Sequence, residues 1–106
     1  MSMRRPIILA LLLGPVAAMA ADEPTVVQTN KQFSVDTLSV TRDTSVKFIN
    51  SDKFRHNISV HTPSGETRSG IVQSPGDVTE IPFDQIGLFR VTCLIHPQMR
   101  MTIVVE

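Results

Sequence analysis

The chain has 106 residues, enough for one domain, and ten basic and ten acidic side chains give a formal net charge of zero. No basic stripe marks it for nucleic acid, and a 42% hydrophobic content supports a packed core. Trp and Tyr are absent, so Phe must supply the bulky core side chains, and the single Cys excludes an intramolecular disulfide.

The first twenty residues differ from the rest. Arg4 and Arg5 form a positive start, Ile7 to Leu13 an apolar run, and Ala17-Ala18-Met19-Ala20 a small-x-small pattern ahead of polar Ala21-Asp22-Glu23-Pro24. That order reads as a secretory signal peptide over 1–20, cleaved after Ala20, which leaves a mature domain over 21–106 and places it in the periplasm. The apolar run is well short of the roughly 20 residues that cross a bilayer, so no membrane span is expected. Paired Arg residues also fit twin-arginine export, but Pro6 and the strongly apolar run favour general secretion. Cleavage removes two Arg and leaves a net charge of about −2 by side-chain count. A domain this small is marginal without reinforcement.

After the leader, short runs of Val, Ile, Phe and Thr recur between turn residues, with no helical stretch of convincing length. Residues 22–31 read as loosely held, with Val26-Val27 opening the domain. Phe33 to Thr41 reads as one extended run. Ser45 to Asn50 sets Val46 and Phe48 on one face and Lys47 on the other. Asn57 to His61 directs Ile58 and Val60 inward. Ser64-Gly65, Ser69-Gly70 and Ser74-Pro75-Gly76-Asp77 read as turns. Val78 to Phe83, Leu88 to Cys93 and Met101 to Val105 complete the set. The expected fold is all-β, a small antiparallel Greek-key β-sandwich; a small barrel shares these signals.

The chemistry concentrates near the C-terminus, where Cys93, His96 and Met99 form C-x2-H-x2-M. His56, at the start of an alternating strand, shares parity with Ile58 and Val60 and so faces inward. Phe89, Val91 and Cys93 share a face in the same way, which makes Cys93 the last inward position before a loop. A thiolate, two imidazoles and a thioether are a soft donor set that suits copper, and two His and a Cys with a long axial Met describe a blue-copper site. Taken singly, each residue has an ordinary role: a buried Cys as a small hydrophobe, a His as a structural or surface group, a Met as core filler. Together, at this spacing and behind an export signal, they point to one metal site. His61 has the opposite parity and reads as a surface residue. Met101 is the rival to Met99 as axial ligand, but the last strand needs Met101, Ile103 and Val105 as its inward set.

With these residues in view, the chain resembles the cupredoxins, and among them amicyanin and its plastocyanin-like relatives. The resemblance rests on Ser45 to Asn50, Arg55-His56-Asn57, Ser74-Pro75-Gly76, Gly87-Leu88-Phe89 and Cys93-Leu94-Ile95-His96-Pro97-Gln98-Met99, and spans most of 33–106. The short ligand loop with Pro97 after the second His is the amicyanin-like form. In that family the Asn after the first ligand His, here Asn57, fastens the ligand loops by hydrogen bonds. Three features depart from the pattern. Arg42-Asp43 stands where Gly-Asp is usual, Val91 where Tyr is common, and the N-terminus of the mature chain is short.

The resemblance implies a monomeric electron carrier, not an enzyme, with one type 1 copper cycling between Cu(I) and Cu(II). It implies redox-protein donors and acceptors, such as a dehydrogenase or a c-type cytochrome, docking at the His96 face. Leu94, Ile95 and Pro97 would form an apolar patch there, rimmed by Lys53, Arg55 and Arg100. The alternative is a periplasmic copper-binding or delivery protein with no electron-transfer role. A structural zinc ion could use the same donors. One Cys and three His cannot build the additional copper sites of multicopper oxidases or nitrite reductases.

Overall fold

The computed structural model describes residues 23–106. The signal-peptide reading of 1–20 lies outside the described residues. Among those residues are nine β-strands and no helix, so none is long and apolar enough to cross a membrane. The strands form two sheets. One runs in the order β2-β1-β4-β7, with β1 Thr25–Thr29, β2 Gln32–Phe33, β4 Thr44–Asn50 and β7 Val78–Phe83. The other runs β3-β9-β8-β5-β6, with β3 Thr37–Val40, β5 His56–His61, β6 Thr67–Gln73, β8 Gly87–Cys93 and β9 Arg100–Val105. The all-β sandwich expected from the sequence is the one observed.

Alternation builds the core. Val46 and Phe48 from β4, Ile58 and Val60 from β5, Phe89, Val91 and Cys93 from β8, and Met101, Ile103 and Val105 from β9 are all buried. Phe83 and Phe89 meet edge to face at 4.9 Å across the sandwich, and Phe33 and Phe48, both in the first sheet, meet edge to face at 6.2 Å. This is the quadrupole-preferred geometry for aromatic pairs. Four of the five Phe therefore serve the core, and only Phe54 is exposed.

Four features differ from expectation. Residues 22–31 are not loosely held throughout: β1 pairs in parallel with β4 and buries Val26 and Gln28. The Phe33 to Thr41 run is two strands in different sheets, because the chain crosses the sandwich at Ser34–Asp36. Ser69-Gly70 is not a turn. It lies inside β6, where Gly70 has φ +85° beside the register shift between Ile58 and Val60. An extra residue in an antiparallel ladder bends the strand, and glycine accepts the positive φ that this requires. Pairing is mostly antiparallel, but β1–β4 and β3–β9 are parallel. These partners are far apart in sequence, so no tight turn dictates their direction. The Arg42-Asp43 turn puts Asp43 itself at φ +67°, the conformation a glycine would take most easily.

β8 begins at a tight approach. Gly87 has φ +129°, and a Cβ there would lie 2.9 Å from the Cβ of Pro63. Gly87→Ala is expected to destabilise the metal-free protein by about 1–3 kcal/mol through strain and steric conflict together. Gly65→Ala, also at positive φ but facing open space, should cost less. Urea denaturation of the two variants checks this, and equal losses would show that the Pro63 contact contributes nothing.

Candidate metal centre

The β5–β8 ladder sets the centre. Ile58 lies opposite Cys93, and both are buried. His56 is two residues earlier on the same face of β5, level with the point where β8 gives way to its loop. The Nδ1 atoms of His56 and His96 lie 3.2 Å apart, and the Cys93 Sγ is 3.7 Å and 3.8 Å from them. A point equidistant from these three atoms lies about 2.1 Å from each nitrogen, the length of a metal–imidazole bond, and only slightly short of a metal–thiolate bond. The donor set and its spacing therefore fit one metal ion.

The loop after Cys93 is tied at both ends. The Leu94 amide donates to the Asn57 carbonyl at 2.9 Å, the Met99 amide to the His96 carbonyl at 2.9 Å, and the Cys93 amide to the Met99 carbonyl at 3.2 Å. Thr92 pairs with Arg100, which sets Met99 across from Cys93 at an inward position, and Met99 is fully buried. Met101 pairs with Val91, one layer deeper in the core.

Asn57 acts through its backbone. Its amide faces the Cys93 sulfur at 3.5 Å and its carbonyl anchors Leu94, while its side-chain Oδ1 is buried with no hydrogen-bond partner among the described residues. His61 is not a free surface residue. It is half-buried on the outer face, with ring nitrogens 3.2 Å from the Thr67 hydroxyl and 3.3 Å from the Thr92 hydroxyl.

Several residues that the motif does not reveal shape the site. Asn50, fully buried, donates to the carbonyls of Phe54 and Gln73 at 2.9 Å and 3.1 Å and accepts from the Asp52 amide at 3.0 Å. It thus folds the 51–55 loop that delivers His56. Gln73 donates to the Phe48 carbonyl at 2.9 Å and accepts from Gln28. The Asp52 carboxylate accepts from His56 Nε2 at 2.8 Å. Burial alone would raise the Asp52 pKa. Hydrogen bonds from the Lys31 amide, the His56 ring and the Asn30 amide outweigh it and hold the group below the ordinary carboxylate value. For His96, burial first and then the neighbouring His56 and Lys31 charges lower the pKa, against a small opposing effect of Asp52. A histidine held below its usual value of about 6.5 is neutral at pH 7, the form that binds metal.

The rim is apolar. Phe54, Leu94 and Ile95 are 47%, 56% and 49% exposed. Phe54 stands edge-on to His96 at 6.1 Å, and the Lys31 ammonium sits 4.5 Å over the Phe54 ring. Polar turn composition around Asn50 and Asp52 was the only sequence signal for this loop, and it does not distinguish a site from an ordinary turn.

Solved structures share this architecture. A reduced Cu(I) form of an amicyanin variant superposes with a TM-score of 0.73 at 23% identity, covering 85% of this chain and 88% of that one. Amicyanin from Paracoccus versutus gives a TM-score of 0.73 at 20% identity, covering 81% of this chain and 83% of that one. A purple cupredoxin from Nitrosopumilus maritimus gives 0.67 at 20% identity, covering 78% of this chain and 99% of that one. No family model matches the sequence, and no curated protein matches it. The chain has the cupredoxin fold.

Proposed function

We propose that residues 21–106 form a periplasmic blue-copper electron carrier, exported by the segment 1–20, whose single copper is held by His56, Cys93, His96 and Met99. The observation that carries this reading is the triangle of two Nδ1 atoms and one Sγ, 3.2–3.8 Å on a side, with buried Met99 across from Cys93. Copper bound there supplies a one-electron couple. The chain's own part is to keep its donors still. His56 and Cys93 sit on paired strands, and His96 sits on a loop closed by three backbone hydrogen bonds, so little has to move when charge changes. Burial of Cys93 shields its sulfur from water and from oxidation.

The electron's exit is assigned to His96, the one half-exposed member of the set. Phe54, Leu94 and Ile95 form the apolar surface beside it. Lys53, Arg55 and Arg100 are exposed close by in sequence, and Lys31 stacks on Phe54. Such a surface suits brief docking of a redox protein with acidic groups around its own apolar contact. The protein acts as a monomer with no substrate of its own. The alternative, a copper-delivery protein, is disfavoured by the burial of His56, Cys93 and Met99, since transfer of the ion needs reachable ligands.

Adding copper(II) to the purified mature protein should produce an intense absorption band in the orange-red region, the signature of a thiolate on copper(II). Cys93→Ala should abolish it while the fold persists by circular dichroism; a blue variant would refute the assignment. Met99→Gln should keep copper but alter the spectrum and lower the potential, because an amide oxygen favours copper(II). Met101→Leu should leave the spectrum alone and change stability by less than about 1.5 kcal/mol, as a volume-conserving core swap. The reverse pattern would make Met101 the ligand. Ile95→Lys should leave the spectrum unchanged yet slow stopped-flow electron exchange with the partner, and equal rates would move the exit elsewhere.

A further inference from the structure

Asp52 is an acidic side chain with only 9% exposure, placed directly behind a residue of the metal centre. Three donors converge on it. Its Oδ2 accepts from His56 Nε2 at 2.8 Å and from the Lys31 amide at 3.0 Å, and its Oδ1 accepts from the Asn30 amide at 2.6 Å. Asn30 and Lys31 have φ values of +52° and +56° and join β1 to β2 through a two-residue turn. Positive φ at both central positions is the hairpin turn whose twist matches its strands. Lysine is an unfavourable residue there, because its Cβ crowds the backbone. Two amide–carboxylate bonds offset that strain, since hydrogen bonds to a charged acceptor are the strong kind.

The same carboxylate decides which nitrogen of His56 carries the proton. An ionised carboxylate only accepts, so Nε2 carries an N–H, and in the neutral ring, the form that binds metal, Nδ1 is then left with its lone pair. Nδ1 is the atom that faces Cys93 and His96. The turn held by the other bonds bears Lys31, whose ammonium lies over Phe54, and Phe54 stands edge-on to His96. One buried acid thus joins the inner histidine to the hairpin that flanks the outer one.

We propose that Asp52 is the positioning residue of the metal centre, and that through it the β1–β2 turn is a working part of the site. The proposal rests on the copper reading only for its redox readout; its structural half concerns the metal-free chain. Removing the charge with Asp52→Asn leaves the shape but places an amide donor or a weaker acceptor against three donors. Disturbing a residue that orients a metal-bound histidine typically weakens metal binding by roughly 10–100-fold. Loss of a nearby negative charge also weakens copper(II) more than copper(I). A tenfold difference between the two raises a one-electron potential by about 59 mV.

The test compares wild type with Asp52→Asn and with Ser51→Ala, a substitution of the exposed neighbour. In the metal-free proteins, nitrogen-15 NMR of the imidazoles and amide hydrogen exchange are read. With copper, affinity and potential are read. Asp52→Asn should lose the pure Nε2–H tautomer of His56, speed exchange of the Asn30 and Lys31 amides at least tenfold, and raise the potential; Ser51→Ala should change none of these. If Asp52→Asn does not fold, the wild-type chain still decides: at a pH where its His56 ring is neutral, that ring must be the Nε2–H tautomer, and its Asn30 and Lys31 amides must be protected. An Nδ1–H tautomer, or unprotected amides, would overturn the proposal. A blue protein whose potential and tautomer ignore Asp52→Asn would overturn it while leaving the copper reading intact. A wild type that never turns blue would sink the copper reading alone.

Discussion

The register between β5 and β8, with Ile58 opposite Cys93, is the constraint on which the centre depends. Side chains alternate with a period of two, so a one-residue slip would send His56 out to solvent and bring Asn57 inward. The register is held at the inner face and at the loop end of the ladder. Inward, Ile58, Val60, Phe89 and Val91 are buried and cannot change sides without exposing the core. At the loop end, the Leu94 amide donates to the Asn57 carbonyl and extends the pairing one step past Cys93. A set of hydrophobic positions thus fixes where a histidine and a cysteine meet.

Between the sheets, next to this ladder, lies a buried polar network that an apolar sandwich would ordinarily avoid. Gln28 bonds Gln73, Gln73 bonds the Phe48 carbonyl, Asn50 bonds the Gln73 carbonyl and the Asp52 amide, and Asp52 bonds His56. Each net bond contributes on the order of 1 kcal/mol, while each orphaned partner would cost about 1–3 kcal/mol. A bond met is therefore cheap and a bond broken expensive, and among these atoms only the Gln28 Oε1 is left without a partner among the described residues. That asymmetry makes the network a specifying device. It couples both sheets to the 51–55 loop and leaves His56 one orientation.

Much of this was legible in the sequence. Strict alternation announced β4, β5, β8 and β9, and the same parity rule that selected Val46 and Phe48 also set His56 and Cys93 inward. Parity is silent on which sheet a strand joins, so the Phe33 to Thr41 run looked continuous although it crosses from one sheet to the other. β6 was missed because it is an edge strand with mostly exposed side chains, interrupted by Gly70 at a bulge; neither alternation nor composition distinguishes it from two turns. Asp52 and Asn50 were illegible for another reason. Their roles depend on the Gln73 carbonyl of β6 and on the Asn30 and Lys31 amides of the hairpin turn, far away in sequence, and local composition gives only a polar loop.

Whether such a centre suits passing electrons or passing metal turns on what must break for an ion to leave. On the copper-carrier reading, three of the four donors, His56, Cys93 and Met99, are buried, and only His96 is half-exposed. Freeing them would mean opening the 94–99 loop, which is stapled to β5 through Leu94 and closed on itself through Met99 and Cys93. It would also mean loosening Met99 from its place across from Cys93. An electron needs none of this. It requires only that one ligand edge come close to a partner, and His96 beside Phe54, Leu94 and Ile95 is the edge the fold leaves uncovered. The division between buried donors and one bared ring is the arrangement that retains an ion while exchanging charge, and it is costly for a protein whose task is to give its metal away.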